Sequence, residues 1–133
     1  MIKRLLLILS LVFLVSFSLN AQDVKQPAVA LIPYPVTLVE GEGAFVFTEK
    51  TVVSLEDKEM EAIARDFIGL FTKAAGFTPK LKVNSKKGDV RLMKDDSLQE
   101  EEYALEVTSE KILMRAAGVK GAFYALQTLR QLL

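Results

Sequence analysis

Between Thr51 and Gly76 the apolar residues change their period. Thr51-Val52-Val53 is a short β-branched run, which packs well on a pleated surface. Met60, Ile63, Ala64, Phe67, Leu70, Phe71 and Ala74 then recur at helical spacing. They predict one face of a helix of roughly five turns. Glu59, Glu61, Arg65, Asp66 and Lys73 fall off that stripe, so the helix is amphipathic and predicted to lie on a sheet. Ser54 with Asp57 resembles a capping box at its start, and Gly76 is placed to stop it.

On either side the pattern is that of extended chain. Gln22 to Pro27 is a polar leader. Ala28 to Ile32 is apolar and meets Pro33-Tyr34-Pro35, where two close prolines forbid a helix. Gly41-Glu42-Gly43 marks a turn, and Ala44-Phe45-Val46-Phe47 reads as a strand. Leu81-Lys82-Val83 and Asp89 to Met93 read as further strands, joined by the basic turn Asn84 to Gly88. After an acidic loop, Asp95 to Glu102, a hairpin follows. Tyr103, Leu105 and Val107 alternate with Ala104 and Glu106, then Ile112 and Met114 with Leu113 and Arg115, around a turn at Thr108-Ser109-Glu110. The expected fold is α+β: a single small domain with a mixed or antiparallel sheet and two main helices on one face.

The second helix follows Gly118 and Gly121, which bracket its connection. Ala122, Ala125, Leu126, Leu129, Leu132 and Leu133 form its apolar stripe. Its other face is unusual for a surface helix, which normally turns charges to water. Phe123, Tyr124, Gln127 and Gln131 stand there, and Arg130 is the only charge after Lys120. One reading tucks these rings into the edge of the core. The other, favoured here, makes Phe123, Tyr124, Gln127, Arg130 and Gln131 a candidate interdomain interface. The apolar ending at Leu133 supports the expectation of a chain interrupted where another domain begins.

The first residues set the compartment. Met1 to Arg4 is basic, Leu5 to Val15 is apolar apart from Ser10, and Ser16, Ser18 and Asn20 lead to Ala21. This is the layout of a secretory signal peptide spanning 1–21. A membrane anchor is the competing reading, but a spanning helix needs roughly 20 apolar residues. Cleavage after Ala21 leaves residues 22–133 as an exported domain, periplasmic or secreted in a bacterium, with no membrane attachment. Loss of Lys3 and Arg4 leaves 15 basic against 17 acidic residues, a net charge of about −2. That gives no support for nucleic-acid binding, which usually shows a basic patch.

Chemistry is scarce. The chain has neither histidine nor cysteine, which removes His-dependent triads, the usual zinc ligands and disulfides. No dinucleotide or phosphate loop is present. Asp95-Asp96 and Glu100-Glu101-Glu102 are the only candidates for a carboxylate pair of the glycosidase kind. With nothing apolar beside them to raise a pKa, a solvated loop is the better reading. A calcium site there lacks regular ligand spacing. Lys80, Lys82, Lys86 and Lys87 have no interleaved aromatics and read as a solvated turn. Catalytic, cofactor and metal residues are therefore all expected to be none.

Glu102-Tyr103-x-Leu105-x-Val107, then Ile112 to Ala116, then Gly121-x-Phe123-Tyr124-x-Leu126-Gln127-Thr128-Leu129-x-Gln131-Leu132 resembles the end of the N-terminal domain of bacterial β-N-acetylhexosaminidases, the family 20 glycoside hydrolases. Leu31-Ile32-Pro33-Tyr34-Pro35 and Gly43-x-Phe45 are similar to that domain's opening. The resemblance spans about the whole of residues 22–133. Glu102 and Ala125 depart from it, each standing where the family often has glycine. It implies the zincin-like accessory fold, lying before a (β/α)8 barrel. In the family that barrel carries an adjacent Asp-Glu pair, the Glu as general acid and the Asp assisting the substrate's acetamido group. No position here matches that motif, so the resemblance implies a non-catalytic domain that is inactive alone. Its implied partner is the barrel, and glycan is met only through it. Two alternatives stay open: a free-standing secreted interaction module, and the accessory domain of another glycoside hydrolase family.

Overall fold

The structure, a computed structural model, describes residues 29–133. The leader read from the sequence lies outside the described residues. The ordered elements are β1 (Val52–Leu55), a 3₁₀ turn (Lys58–Met60), α1 (Glu61–Ala75), β2 (Lys80–Val83), β3 (Val90–Lys94), β4 (Tyr103–Val107), β5 (Ile112–Ala116) and α2 (Val119–Gln131).

The five strands form one sheet in the order β2-β1-β3-β5-β4. β2, β1, β3 and β5 run parallel, and only the β4–β5 hairpin is antiparallel, so the sheet is mixed. Alternation decides its faces. Val53, Leu55, Val90, Leu92, Ile112, Met114 and Ala116 point to one side, where they share a core with Met60, Ala64, Phe67 and Ile68 of the first helical region and Ala122, Ala125, Leu126 and Leu129 of α2. Both helices therefore cover the same face.

Four local expectations change. Ala44–Phe47 pairs with no strand. Phe45 and Phe47 pack on the core with Val46 exposed, which reproduces a strand's period of two without a ladder. The helix starts differently as well. Asp57 caps the 3₁₀ turn before it, its carboxylate accepting the Glu59 N–H at 2.9 Å, α1 itself has no side-chain cap, and Ser54 lies inside β1, fully buried. Gly76 does end α1, in the left-handed conformation (φ 79°) that favours glycine. Leu132 and Leu133 lie past the end of α2 and are exposed, so the stripe stops at Leu129.

The fourth change concerns β2 and β3. They are not neighbours, because β1 lies between them. Residues 84–89 must therefore cross the outer face of β1. Asn84 turns the chain with φ 54°, and Asp89 donates its N–H to the Val52 carbonyl at 2.9 Å on arrival. Gly88 passes directly over Ser54. A Cβ at Gly88 would stand 2.7 Å from the Ser54 hydroxyl and 2.8 Å from the Val52 carbonyl. Ser54 is buried because the chain itself roofs it.

Candidate functional site

The outward side of α2 is the surface singled out by the sequence, and the seating of that helix determines its geometry. α2 has no side-chain cap at Gly118. Its first turn is met instead by the acidic loop, whose Glu100 carbonyl accepts the Gly121 N–H at 3.1 Å. Gly121 lies inside the helix, not before it. A Cβ there would be 2.3 Å from the Glu102 carbonyl oxygen, so glycine is what lets α2 start against that loop. Gly121, Ala122 and Ala125 are small and buried. The Tyr103 hydroxyl meets the Thr128 hydroxyl at 2.7 Å and ties β4 to the middle of the helix.

This close seating turns the larger side chains outward. Phe123 and Tyr124 remain 44% and 43% exposed, with their rings edge to face at a centroid distance of 5.6 Å. Across a shallow cleft, α1 contributes Leu70, 46% exposed, beside Ile63 and Phe67. Gln127 lies half-buried in the same cleft, and Asp66 and Arg130 stand at it with opposite charges. Neither forms an ion pair among the described residues. Gln131 behaves differently. Its amide accepts the Ile32 N–H at 2.8 Å and donates to the Ile32 carbonyl at 3.0 Å, so it holds the domain's own N-terminal segment. The cleft thus brings Phe123, Gln127 and Arg130 together, sets Tyr124 beside them and leaves Gln131 to another task. Leu70 was missed as a surface residue because its spacing assigns it to the buried stripe. Its place at the stripe's edge was the available signal.

The acidic loop is organised by its own contacts. The Asp95 carboxylate accepts from the Ser97 hydroxyl and N–H, and these bonds, with the Arg115 charge, hold it below the usual carboxylate range. A general acid needs the opposite shift. Glu100 pairs with Lys120 at 3.0 Å, and Glu102 accepts the Gln99 N–H at 3.0 Å. Lys94 lies 3.3 Å from Asp57 and 3.9 Å from Asp96, and its bond to Asp57 raises its pKa. No three acidic residues converge as a metal site among the described residues.

Comparison with known proteins places this fold. The family model described as glycosyl hydrolase family 20, domain 2, matches residues 28–133. The β-hexosaminidase of Porphyromonas gingivalis is 27% identical over 131 residues, which cover 92% of this chain but 17% of that protein. The β-N-acetylhexosaminidase of Bacteroides fragilis has a similar structure, with a TM-score of 0.57 at 27% identity over 76% of this chain and 20% of that one. The family 20 exo-β-N-acetylglucosaminidase of Vibrio harveyi shares the fold, with a TM-score of 0.66 over 75% of this chain and 15% of that one, at 24% identity. The chain therefore spans a fifth or less of the length of these relatives. A sheet with two helices on one face, matched from Ala28 to Leu133 by one family model, shows that the chain belongs to glycosyl hydrolase family 20, as its domain 2.

Proposed function

We propose that this chain is the non-catalytic N-terminal part of an exported β-N-acetylhexosaminidase, and that the outward helix face seats the catalytic (β/α)8 barrel. The parent enzyme would remove terminal N-acetylhexosamine from glycans, with all contact to the sugar made by the barrel. The observation that carries this reading is the apolar surface of Leu70, Phe123 and Tyr124, continuous across both helices of a family 20 domain. Exposed apolar surface of this kind marks interaction sites. Export rests on the basic, apolar and small-residue order of Met1 to Ala21.

The test is a chimera in which this domain replaces its counterpart in the Bacteroides fragilis enzyme. Activity on a chromogenic β-N-acetylglucosaminide should be retained by the chimera and absent from the chain alone. Leu70→Ser with Phe123→Ser and Tyr124→Ser should lower the chimera's melting temperature and soluble activity together. A triple variant indistinguishable from the parent chimera would remove the docking role. Turnover by the chain alone, surviving re-purification and lost in Asp96→Asn or Glu101→Gln, would overturn the non-catalytic assignment.

A further inference from the structure

The outer face of the sheet, turned away from the helices, carries a charge that the composition hides. Over the whole chain 17 basic residues balance 17 acidic ones. On this face the register sets Lys82, Ser54, Arg91 and Leu113 in one row across β2, β1, β3 and β5, with Arg115 beside Met93 in the next. The crossover that roofs Ser54 adds Lys86 and Lys87. The Arg91 side chain is fixed by donating its Nε–H to the Gly88 carbonyl at 2.8 Å. Acids border this face and keep their charges. Asp89 accepts the Val52 N–H at 2.8 Å, and Asp95 is held by Ser97. Glu106, on the edge strand opposite Leu113, is a third. Lys82, Lys86 and Lys87 are exposed and form no ion pair among the described residues.

We propose that this outer face binds a linear acidic polysaccharide bearing carboxylate or sulfate groups. Lys82 on β2 and Arg91 on β3 stand two strands apart, about 10 Å, on either side of the crossover that carries Lys86 and Lys87, and half-buried Met93 and Leu113 lie beside Arg91 and Arg115. A flexible polyanion can follow such a surface. Firm attachment to a lipid surface adds apolar side chains that insert among acyl chains, and Met93 and Leu113 here are half-buried. Single-stranded nucleic acid is recognised by aromatic stacking, and these rows contain no aromatic residue. The proposal is independent of the helix face, which lies on the other side of the sheet.

The probes are heparin and polygalacturonate, with dextran as the neutral control and phosphatidylglycerol vesicles as the lipid arm. The chain should bind both acidic polysaccharides at low salt, and affinity should fall as salt rises, because bound cations release counterions from a polyanion. Lys82→Gln with Lys86→Gln and Lys87→Gln should weaken binding about tenfold or more and reduce the slope of log affinity against log salt by roughly three, about one per cation removed. Lys58→Gln with Lys73→Gln and Lys120→Gln removes the same charge from the helix side and should change affinity by less than about twofold. Thermal melts confirm that both triples fold, and Lys86→Gln with Lys87→Gln serves if the first does not. Equal weakening by the two triples would reduce the effect to unspecific attraction and overturn the proposal. Binding to vesicles without binding to either polysaccharide would also overturn it.

Discussion

The two helices share one face of one sheet and are held there by opposite means. α1 and its entry turn reach the sheet with large side chains, Met60, Phe67 and Ile68, and Phe71 stacks on Phe47 at 4.7 Å. α2 is seated by what it lacks, since Gly121, Ala122 and Ala125 let its backbone come close. The difference shows in what each leaves outside. α1 buries Phe67 and half-buries Phe71, while α2 has no room beneath it for Phe123 and Tyr124 and presents them to solvent. A helix seated on volume is weakened by cavities. A helix seated on small residues is weakened by added atoms.

The largest test of that contrast is Phe67→Ala. Truncating a buried phenylalanine costs about 3–5 kcal/mol through lost burial and the cavity left behind. Small domains hold only about 5–15 kcal/mol in total. The variant should be largely unfolded or readily digested by protease, and a melt matching wild type would show that α1 is not held by this ring.

Gly121→Ala tests the other helix. On helix propensity alone, alanine should stabilise by about 1 kcal/mol. The new methyl, however, meets the Glu102 carbonyl at 2.3 Å and Ala116 Cβ at 3.2 Å. Overpacking of this kind costs about 1–3 kcal/mol, so denaturant unfolding should show net destabilisation. A gain in stability would mean that α2 is not closely seated.

Phe123→Ser with Tyr124→Ser should do little to stability, within about 1 kcal/mol, as for surface positions. In sedimentation it should reduce any self-association of the chain. If wild type is a clean monomer and the double variant unfolds, both rings belong to the core and the contrast between the helices fails.

Asp57→Asn, at the entry to α1, should have the smallest effect, and that effect should depend on pH. The Glu59 N–H, and after it Lys94, lower the pKa of Asp57 in the fold. Its stabilisation is therefore present above the ordinary carboxylate pKa and lost as pH falls through the lowered one. The gap in melting temperature between wild type and variant should narrow as the buffer is taken below pH about 4. A gap that widened on acidification would contradict the assignment.

What could be read from the sequence follows from where the information resides. α1, its stop at Gly76 and the β4–β5 hairpin are legible because periodicity and turn chemistry are local. The sheet order is not. Nothing in Asn84–Gly88 distinguishes a turn between neighbours from a chain crossing a third strand, since the difference lies in what Gly88 passes over. Phe45 and Phe47 alternate like a strand because packing on the core from one side imposes the same period, with or without a partner strand. Of the outward face, Phe123, Tyr124 and Gln127 were visible as residues unusual on a surface helix. The role of Gln131 was not, because its partner lies 99 positions away.

That last contact has a kinetic consequence. Closing a loop of 99 residues from an open chain costs roughly 4 kcal/mol in entropy. Two exposed hydrogen bonds return about 0.5–1.5 kcal/mol each. The bonds between Gln131 and Ile32 therefore do not assemble the domain. They can form only after the sheet and α2 have brought the two ends together, and they are among the first to open when the last turn of α2 frays. The Ile32 amide should accordingly exchange its hydrogen with solvent far faster than the amides of β3, at a rate set by local opening and not by global unfolding.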